Sequence, residues 1–212
     1  EPMYYRMKMM PAQDTDREIL IIGVSNIEAQ MRHEEALVKA QEAALRDPLT
    51  GIRNKRAYAQ MEASLDQQIA QECAGSFAIA FCDVNGLKKV NDTKGHQAGD
   101  VFLYEACMEI CHIFTHSPVF RFGGDEFVVL TNMNRAQAQN ALKRLESETG
   151  KWHGEIVDSL SLSAGYALAE EYGDARLTAS ALVGESDKSM YQAKADYYRD
   201  AGRDRRRNRR NP

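Results

Sequence analysis

The 212 residues predict an α/β chain of the α+β kind: a central mixed sheet with flanking helices and one acidic β-hairpin. Three observations predict it. Helical and strand-like hydrophobic periods alternate along most of the chain. The run Phe77-Ala78-Ile79-Ala80-Phe81-Cys82 is continuously apolar and reads as a strand covered on both faces. The stretch Phe120-Arg121-Phe122-Gly123-Gly124-Asp125-Glu126-Phe127-Val128-Val129-Leu130 reads as two short strands folded back on each other. Its glycine pair is expected to supply the positive φ angles of a tight turn. Asp125 and Glu126 are neighbouring carboxylates between apolar flanks, and a bound cation would offset their repulsion. A solvated acidic turn is an equal reading of these residues taken alone.

Taken in order, residues 3–10 and 18–24 look like two strands joined by a polar turn that begins at Pro11. Two strands do not make a domain, so residues 1–25 read as the end of an upstream one. The first residue is Glu, which reads as a piece of a longer protein. Asn26 or Ser25 can cap a helix over 26–46, where Ile27, Met31, Val38 and Leu45 form a thin stripe suited to a dimer contact or to a linker helix lying on its own domain. Asp47-Pro48-Leu49-Thr50-Gly51 stops that helix. A second helix follows over 54–72, begun by Asn54, and Gly75-Ser76 breaks it before the apolar strand. That strand ends in Asp83, and an acid at the carboxyl end of a buried strand is a common active-site placement.

Residues 84–100 are dense in Gly, Asn, Asp and Lys and read as a loop. Gly86 would permit close backbone approach there, and Lys88 and Lys89 carry charge suited to phosphate. Helices are expected over 98–114, 134–149 and 177–196, with a half-buried strand over 160–169.

Composition narrows the function classes. A hydrophobic content of 43% supports one large core. No apolar run approaches the roughly 20 residues of a bilayer span, and there is no signal-peptide pattern. A cytoplasmic chain is expected, with a membrane anchor elsewhere in the longer protein left open. The four cysteines, Cys73, Cys82, Cys107 and Cys111, suggest no disulfide framework. Cys107 and Cys111 share one helical face and His112 and His116 another, about 100° away, so the four do not read as a zinc site, and the cysteines read as core thiols. Residues 199–212 hold seven Arg against two Asp in a chain of net charge −4, and read as a solvated basic tail or a phosphate contact.

Together the motifs resemble the GGDEF family, the bacterial diguanylate cyclases. The resemblance covers about 47–203, leaving 204–212 as the basic tail. It is carried by Asp47-Pro48-Leu49-Thr50-Gly51, by Asp83-Val84-Asn85-Gly86-Leu87-Lys88-Lys89-Val90-Asn91-Asp92 and by Gly95-His96 with Gly99-Asp100. Arg121-Phe122-Gly123-Gly124-Asp125-Glu126-Phe127 and Tyr191-Gln192-Ala193-Lys194 complete it. A shorter likeness ties residues 22–27 to the end of a PAS sensor domain.

The family resemblance implies a palm-like nucleotide-cyclase fold and the joining of two GTP into cyclic di-GMP with release of two pyrophosphates. It implies Mg²⁺ or Mn²⁺ held by Asp83, the Val84 carbonyl, Asp125 and Glu126, with Glu126 as ligand or general base. Gly86, Leu87, Lys88 and Lys194 would cradle phosphates, together with Arg199 or Arg203. Asn91 and Asp100 would read guanine, and His96 either lines that pocket or caps a turn. A carboxylate at Asp100 accepts from guanine N1 and N2 together, which adenine does not match. The partners implied are GTP, a second copy of the chain and an upstream sensor domain, with no nucleic acid. Phe114 and Ser117 stand where many members carry an Arg-x-x-Asp product-inhibition site, so that site is expected to be absent. The alternative is a catalytically weak domain that binds GTP or a dinucleotide as a regulatory module.

Overall fold

The structure is a computed structural model that describes residues 3–14, 17–154, 156–172 and 177–200. The chain divides into two compact units, residues 1–45 and 46–212.

In the first unit, β1 (Tyr5–Asp14) pairs antiparallel with β2 (Arg17–Asn26) in a register from Tyr5↔Asn26 to Asp14↔Arg17. The ladder is longer than the sequence pattern suggests. It runs through Pro11, which was expected to open the turn. Met9, Met10, Ile21 and Ile22 are all exposed, and successive strand residues point to opposite faces, so both faces of the ribbon present apolar side chains. Helix α1 (Glu28–Ala43) follows, and the Asn26 side chain accepts from the Glu28 amide at 2.9 Å. No residue of α1 is buried within its own unit.

The second unit is a five-stranded sheet in the order β3-β5-β6-β4-β7. Its strands are β3 (Arg53–Asn54), β4 (Ala78–Val84), β5 (Val119–Arg121), β6 (Glu126–Thr131) and β7 (Leu162–Leu168). The β3–β5 pair is parallel and the others antiparallel, so the sheet is mixed as expected. β4 lies between β6 and β7 and is buried along its whole length.

Strand alternation divides the core. Ala80, Cys82 and Val84 join Phe127 and Val129 in packing against Phe102, Ala106 and Ile110 of α4 (His96–Ile113) and Leu145 of α5 (Arg135–Lys151). The opposite side of β4 meets α6 (Ala179–Asp200), while α2 (Lys55–Ala70) packs on β5 and α6. Each large side chain fully buried in these layers contributes about 2 kcal/mol of transfer free energy.

Local chemistry sets the helix ends. Asn54 caps α2 by accepting from the Ala57 amide at 3.0 Å. Asn134 and Gln137 form a reciprocal capping box at the start of α5. Asp66 of α2 accepts from the Ala179 amide at 2.7 Å, which ties the first turn of α6 to α2. Gly165 allows α6 to lie against β7, because a β-carbon there would collide with the backbone at Ser186 and Met190.

Residues 84–100 are not a loop. Helix α3 (Leu87–Lys94) opens after Gly86 (φ 81°) and closes at Gly95 (φ 86°), from which α4 starts. α3 turns only Leu87 and Val90 toward the core and fully buries no residue, while its bounding glycines look like loop signals.

Candidate active site

The hairpin differs from the expected tight turn. Arg121 pairs with Phe127, so Phe122-Gly123-Gly124-Asp125 forms a four-residue connection before Glu126 opens β6. It is closed by the Phe122 amide donating to the Glu126 carbonyl at 2.8 Å. The glycines with positive φ among the described residues are Gly51, Gly75, Gly86 and Gly95, which leaves out Gly123 and Gly124. At Gly123 the need is space. A β-carbon there would overlap the Glu126 carboxylate, which lies across the turn.

Two anchors hold this connection. The Phe122 ring packs edge-on against Tyr58 at 5.1 Å and Phe81 at 5.8 Å, and Tyr58 also meets Phe120 at 5.7 Å. Arg121 donates to the Gly124 carbonyl through Nε at 3.3 Å and through the guanidinium at 2.8 Å. It also forms a forked pair with Asp47 at 3.0 and 3.2 Å. Asp47 in turn accepts from the Thr50 amide at 2.9 Å and its hydroxyl at 2.7 Å. Burial alone would push the Asp47 carboxyl up; the Thr50 hydrogen bonds and the Arg121 guanidinium outweigh it and hold the group below its ordinary value. The Asp-Pro-Leu-Thr-Gly turn is thus bolted to the acidic hairpin. Sequence reasoning quoted Asp47 and Arg121 as motif letters without giving them this work.

Asp83 sits one residue from the end of β4, directly opposite Glu126 on β6 and Ser163 on β7. The Val84 amide donates to the Asp125 carbonyl at 2.9 Å, which draws the hairpin to the strand end. Asn85, 3% exposed, fixes the turn into α3: its amide donates to the Ser161 carbonyl at 2.9 Å, and its side chain bonds Ser161 and Ser163 at 3.0 Å each. Polar residues inside Val84-Asn85-Gly86 and Leu160-Ser161-Leu162-Ser163 are the signal that could have revealed this brace.

The acids are under electrostatic load. Asp83 is 5% exposed, and burial pushes its carboxyl up to about 6; Lys194 opposes the shift, while Asp125 and Glu126 add to it. Lys194 on α6 lies 2.5 Å from the Asp83 carboxylate. The negative charges of Asp125 and Glu126 and the ammonium of Lys194 thus all act on Asp83 at this strand end. The donor set, hard oxygens with uncompensated negative charge, fits a divalent cation such as Mg²⁺. Among the described residues no three acidic, His or Cys side chains stand preassembled as a cage.

The other predicted residues divide. Gly86 and Leu87 begin α3 beside Asp83, and Lys88 is exposed on its first turn. Asn91 of α3 lies against Gly99 of α4, because the glycine leaves room for the Asn91 amide. That contact brings Asn91 next to Asp100, which is exposed with His96 at the start of α4. Arg199 is not brought to the acids. It pairs with Asp196 at 2.7 Å on the last turn of α6. Arg203 lies outside the described residues.

An acid-tipped central strand, crossed antiparallel by an acidic hairpin and flanked by helices, defines a palm-type nucleotide-cyclase domain. The chain belongs to the GGDEF family, whose model, described as diguanylate cyclase, GGDEF domain, matches residues 44–199. It is 36% identical over 155 residues to diguanylate cyclase DgcS of Shewanella oneidensis, covering 72% of this chain and 50% of that protein. It is 31% identical over 197 residues to cyclic di-GMP phosphodiesterase PdeR of Escherichia coli, covering 90% of this chain and 28% of that one. The chain thus spans half or less of these curated relatives. The coiled coil and GGDEF domain of DgcB from Caulobacter crescentus, solved with c-di-GMP, shares the fold with a TM-score of 0.69 at 21% identity, covering 79% of this chain and 90% of that structure.

Proposed function

We propose that the domain condenses two GTP into cyclic di-GMP and two pyrophosphates, each GTP held by one subunit of a homodimer. The observation that carries this reading is the loaded acid set: Asp83 faces Glu126 across the β4–β6 pair, Asp125 is adjacent, and the Lys194 ammonium pairs with Asp83. Burying Asp83 costs stability that a purely structural strand end would not need.

Asp83, the Val84 carbonyl, Asp125 and Glu126 would hold Mg²⁺ or Mn²⁺. When bound, such a metal would neutralise phosphate charge and make the attacking 3′-hydroxyl more acidic. The remaining roles belong to the chain. Gly86, Leu87 and Lys88 present backbone amides and charge to the triphosphate at the start of α3. Lys194 leaves Asp83 and pairs with phosphate. Asn91 and Asp100 accept from the guanine edge, beside His96. Glu126 takes the hydroxyl proton or serves as a ligand. Arg199, paired with Asp196 in this structure, would have to exchange that partner before meeting phosphate.

Phe114 is 2% exposed and belongs to the core cluster, which supports the reading that positions 114 and 117 offer no product-binding arm. Residues 1–25 fit the end of an upstream sensor domain, and α1 fits a helix that pairs two subunits. The relationship to PdeR, named for the opposing activity, supports a second reading in which the domain binds GTP or a dinucleotide and regulates. Incubation with GTP and Mg²⁺ followed by chromatography separates the two. Cyclic di-GMP with pyrophosphate is the expected result; GTP binding without product would favour the regulatory module.

A further inference from the structure

Helices α3 and α4 meet at a tight corner. Gly95 turns the chain between them, its amide donating to the Asn91 carbonyl at 3.0 Å. Gly99 follows within the first turn of α4 and is buried. Its backbone is not left-handed, and at an ordinary helical position alanine is more stable than glycine. Nothing in the conformation of α4 itself calls for a glycine there.

The need for one lies across the corner. A β-carbon on Gly99 would overlap the Asn91 side-chain oxygen, and would stand 2.9 Å from the Asn91 carboxamide carbon and 3.3 Å from a terminal methyl of Leu87. These three nearest atoms all belong to side chains of α3, and none to backbone. The Asn91 carboxamide seated in this space makes no hydrogen bond among the described residues. Asp100, the residue after Gly99, is exposed, and its carboxylate likewise has no hydrogen bond or ion pair there. A carboxamide held in one place with its donors and acceptor unspent, beside a carboxylate in the same condition, suits a ligand with several polar groups along one edge.

We propose that Gly99 sets nucleobase selectivity as a positioning residue. By having no side chain, it holds the Asn91 carboxamide against α4 and beside Asp100, where the two read one base edge together. The proposal rests on the assignment of Asn91 and Asp100 to guanine. In Gly99→Ala the Asn91 carboxamide must swing away from α4, whereas Gly86, Lys88 and Lys194 are left in place for the triphosphate. Selectivity for the base is then lost while general nucleotide binding stays.

The test is calorimetric titration of the full chain, in Mg²⁺, with α,β-methylene analogues of GTP and ATP, in which the bond to be broken is blocked. In Gly99→Ala the affinity for the GTP analogue should fall about tenfold, the worth of one well-made hydrogen bond. Affinity for the ATP analogue should not change. The melting temperature should hold or rise, because α4 exchanges a glycine for an alanine; a residue that only packs the corner would melt lower when replaced. Asn91→Ala should lose the same preference, and Gly99→Ala added to it should cost nothing more, since the two changes act through one contact. A GTP preference that survives Gly99→Ala, a further loss in the double variant or a lower melting temperature would overturn the proposal. So would a Gly99→Ala chain that does not fold, because only movable side-chain ends oppose the added carbon. A wild-type chain with no preference for the GTP analogue would overturn the guanine assignment itself, and the proposal with it.

Discussion

Asp83 illustrates what burial does to one carboxyl at a strand end. Its carboxyl is raised to about 6, burial being the largest cause. A raised acid stabilises the fold fully below its unfolded value near 3.8 and loses that contribution as pH climbs through about 6. In chelator, unfolding free energy should therefore fall between about pH 4 and pH 6 by an amount on the order of 2 kcal/mol. Asp83→Asn should flatten that slope and raise the melting temperature at neutral pH by about 5 °C, while abolishing metal-dependent turnover. An unchanged or lower melting temperature would contradict the burial account. Gly123 is a different single-residue case. Its backbone is not left-handed, so Gly123→Ala should cost less than about 1 kcal/mol. It should lower turnover by displacing the Glu126 carboxylate, which steady-state rates alongside thermal melts would show.

Among the elements, the hairpin and the turn at Asp47 behave as one piece because Arg121 grips both. The Arg121 and Asp47 side chains are only 16% and 13% exposed, so removing one partner strands the other in a poorly hydrated place. Arg121→Ala should destabilise by about 3 kcal/mol. A double-mutant cycle with Asp47→Ala should return a coupling above about 1 kcal/mol in denaturant melts. The motif letters at both positions were legible in the sequence; their union was not, because 74 residues separate them and no local period reports it. β4 was readable for the opposite reason, since its seven residues are all buried and the apolar run states it directly. α3 was hidden by its polar faces, and β3, two residues long, has no period to detect. The Gly-Gly pair was read as a conformational requirement and proved a spatial one, because local sequence does not say which side chain will lie across a turn.

For the whole molecule, the mixed palm-type sheet followed from the order of elements, and the candidate site residues were read from motifs at strand and helix ends. What the sequence could not express was pairing between distant polar residues, such as Asn85 with Ser161 and Ser163. On the proposed half-site mechanism, product assembly requires two subunits, since the product is two-fold symmetric and each chain offers one set of acids. Specific activity should then climb with enzyme concentration across the monomer–dimer range, followed by product formation beside light scattering. Met31→Glu/Val38→Glu should deepen that dependence and leave GTP affinity unaltered. Activity independent of concentration would rule the mechanism out.

The contact between Lys194 and Asp83 also makes the lysine a tenant of the very seat a cation would take. Its two destinations, carboxylate and phosphate, cannot be occupied at once, so the order of arrival carries a sign. On the proposed metal assignment, the ammonium would compete with Mg²⁺ in the absence of nucleotide, and Lys194→Ala should bind the metal more tightly. Once a triphosphate is present the same lysine has somewhere to go, and its loss should weaken binding instead. Calorimetric titration of Mg²⁺ into both proteins, with and without a non-hydrolysable GTP analogue, should show that inversion; a change of the same sign in both titrations would mean that the lysine is a fixed strut rather than an exchangeable counterion.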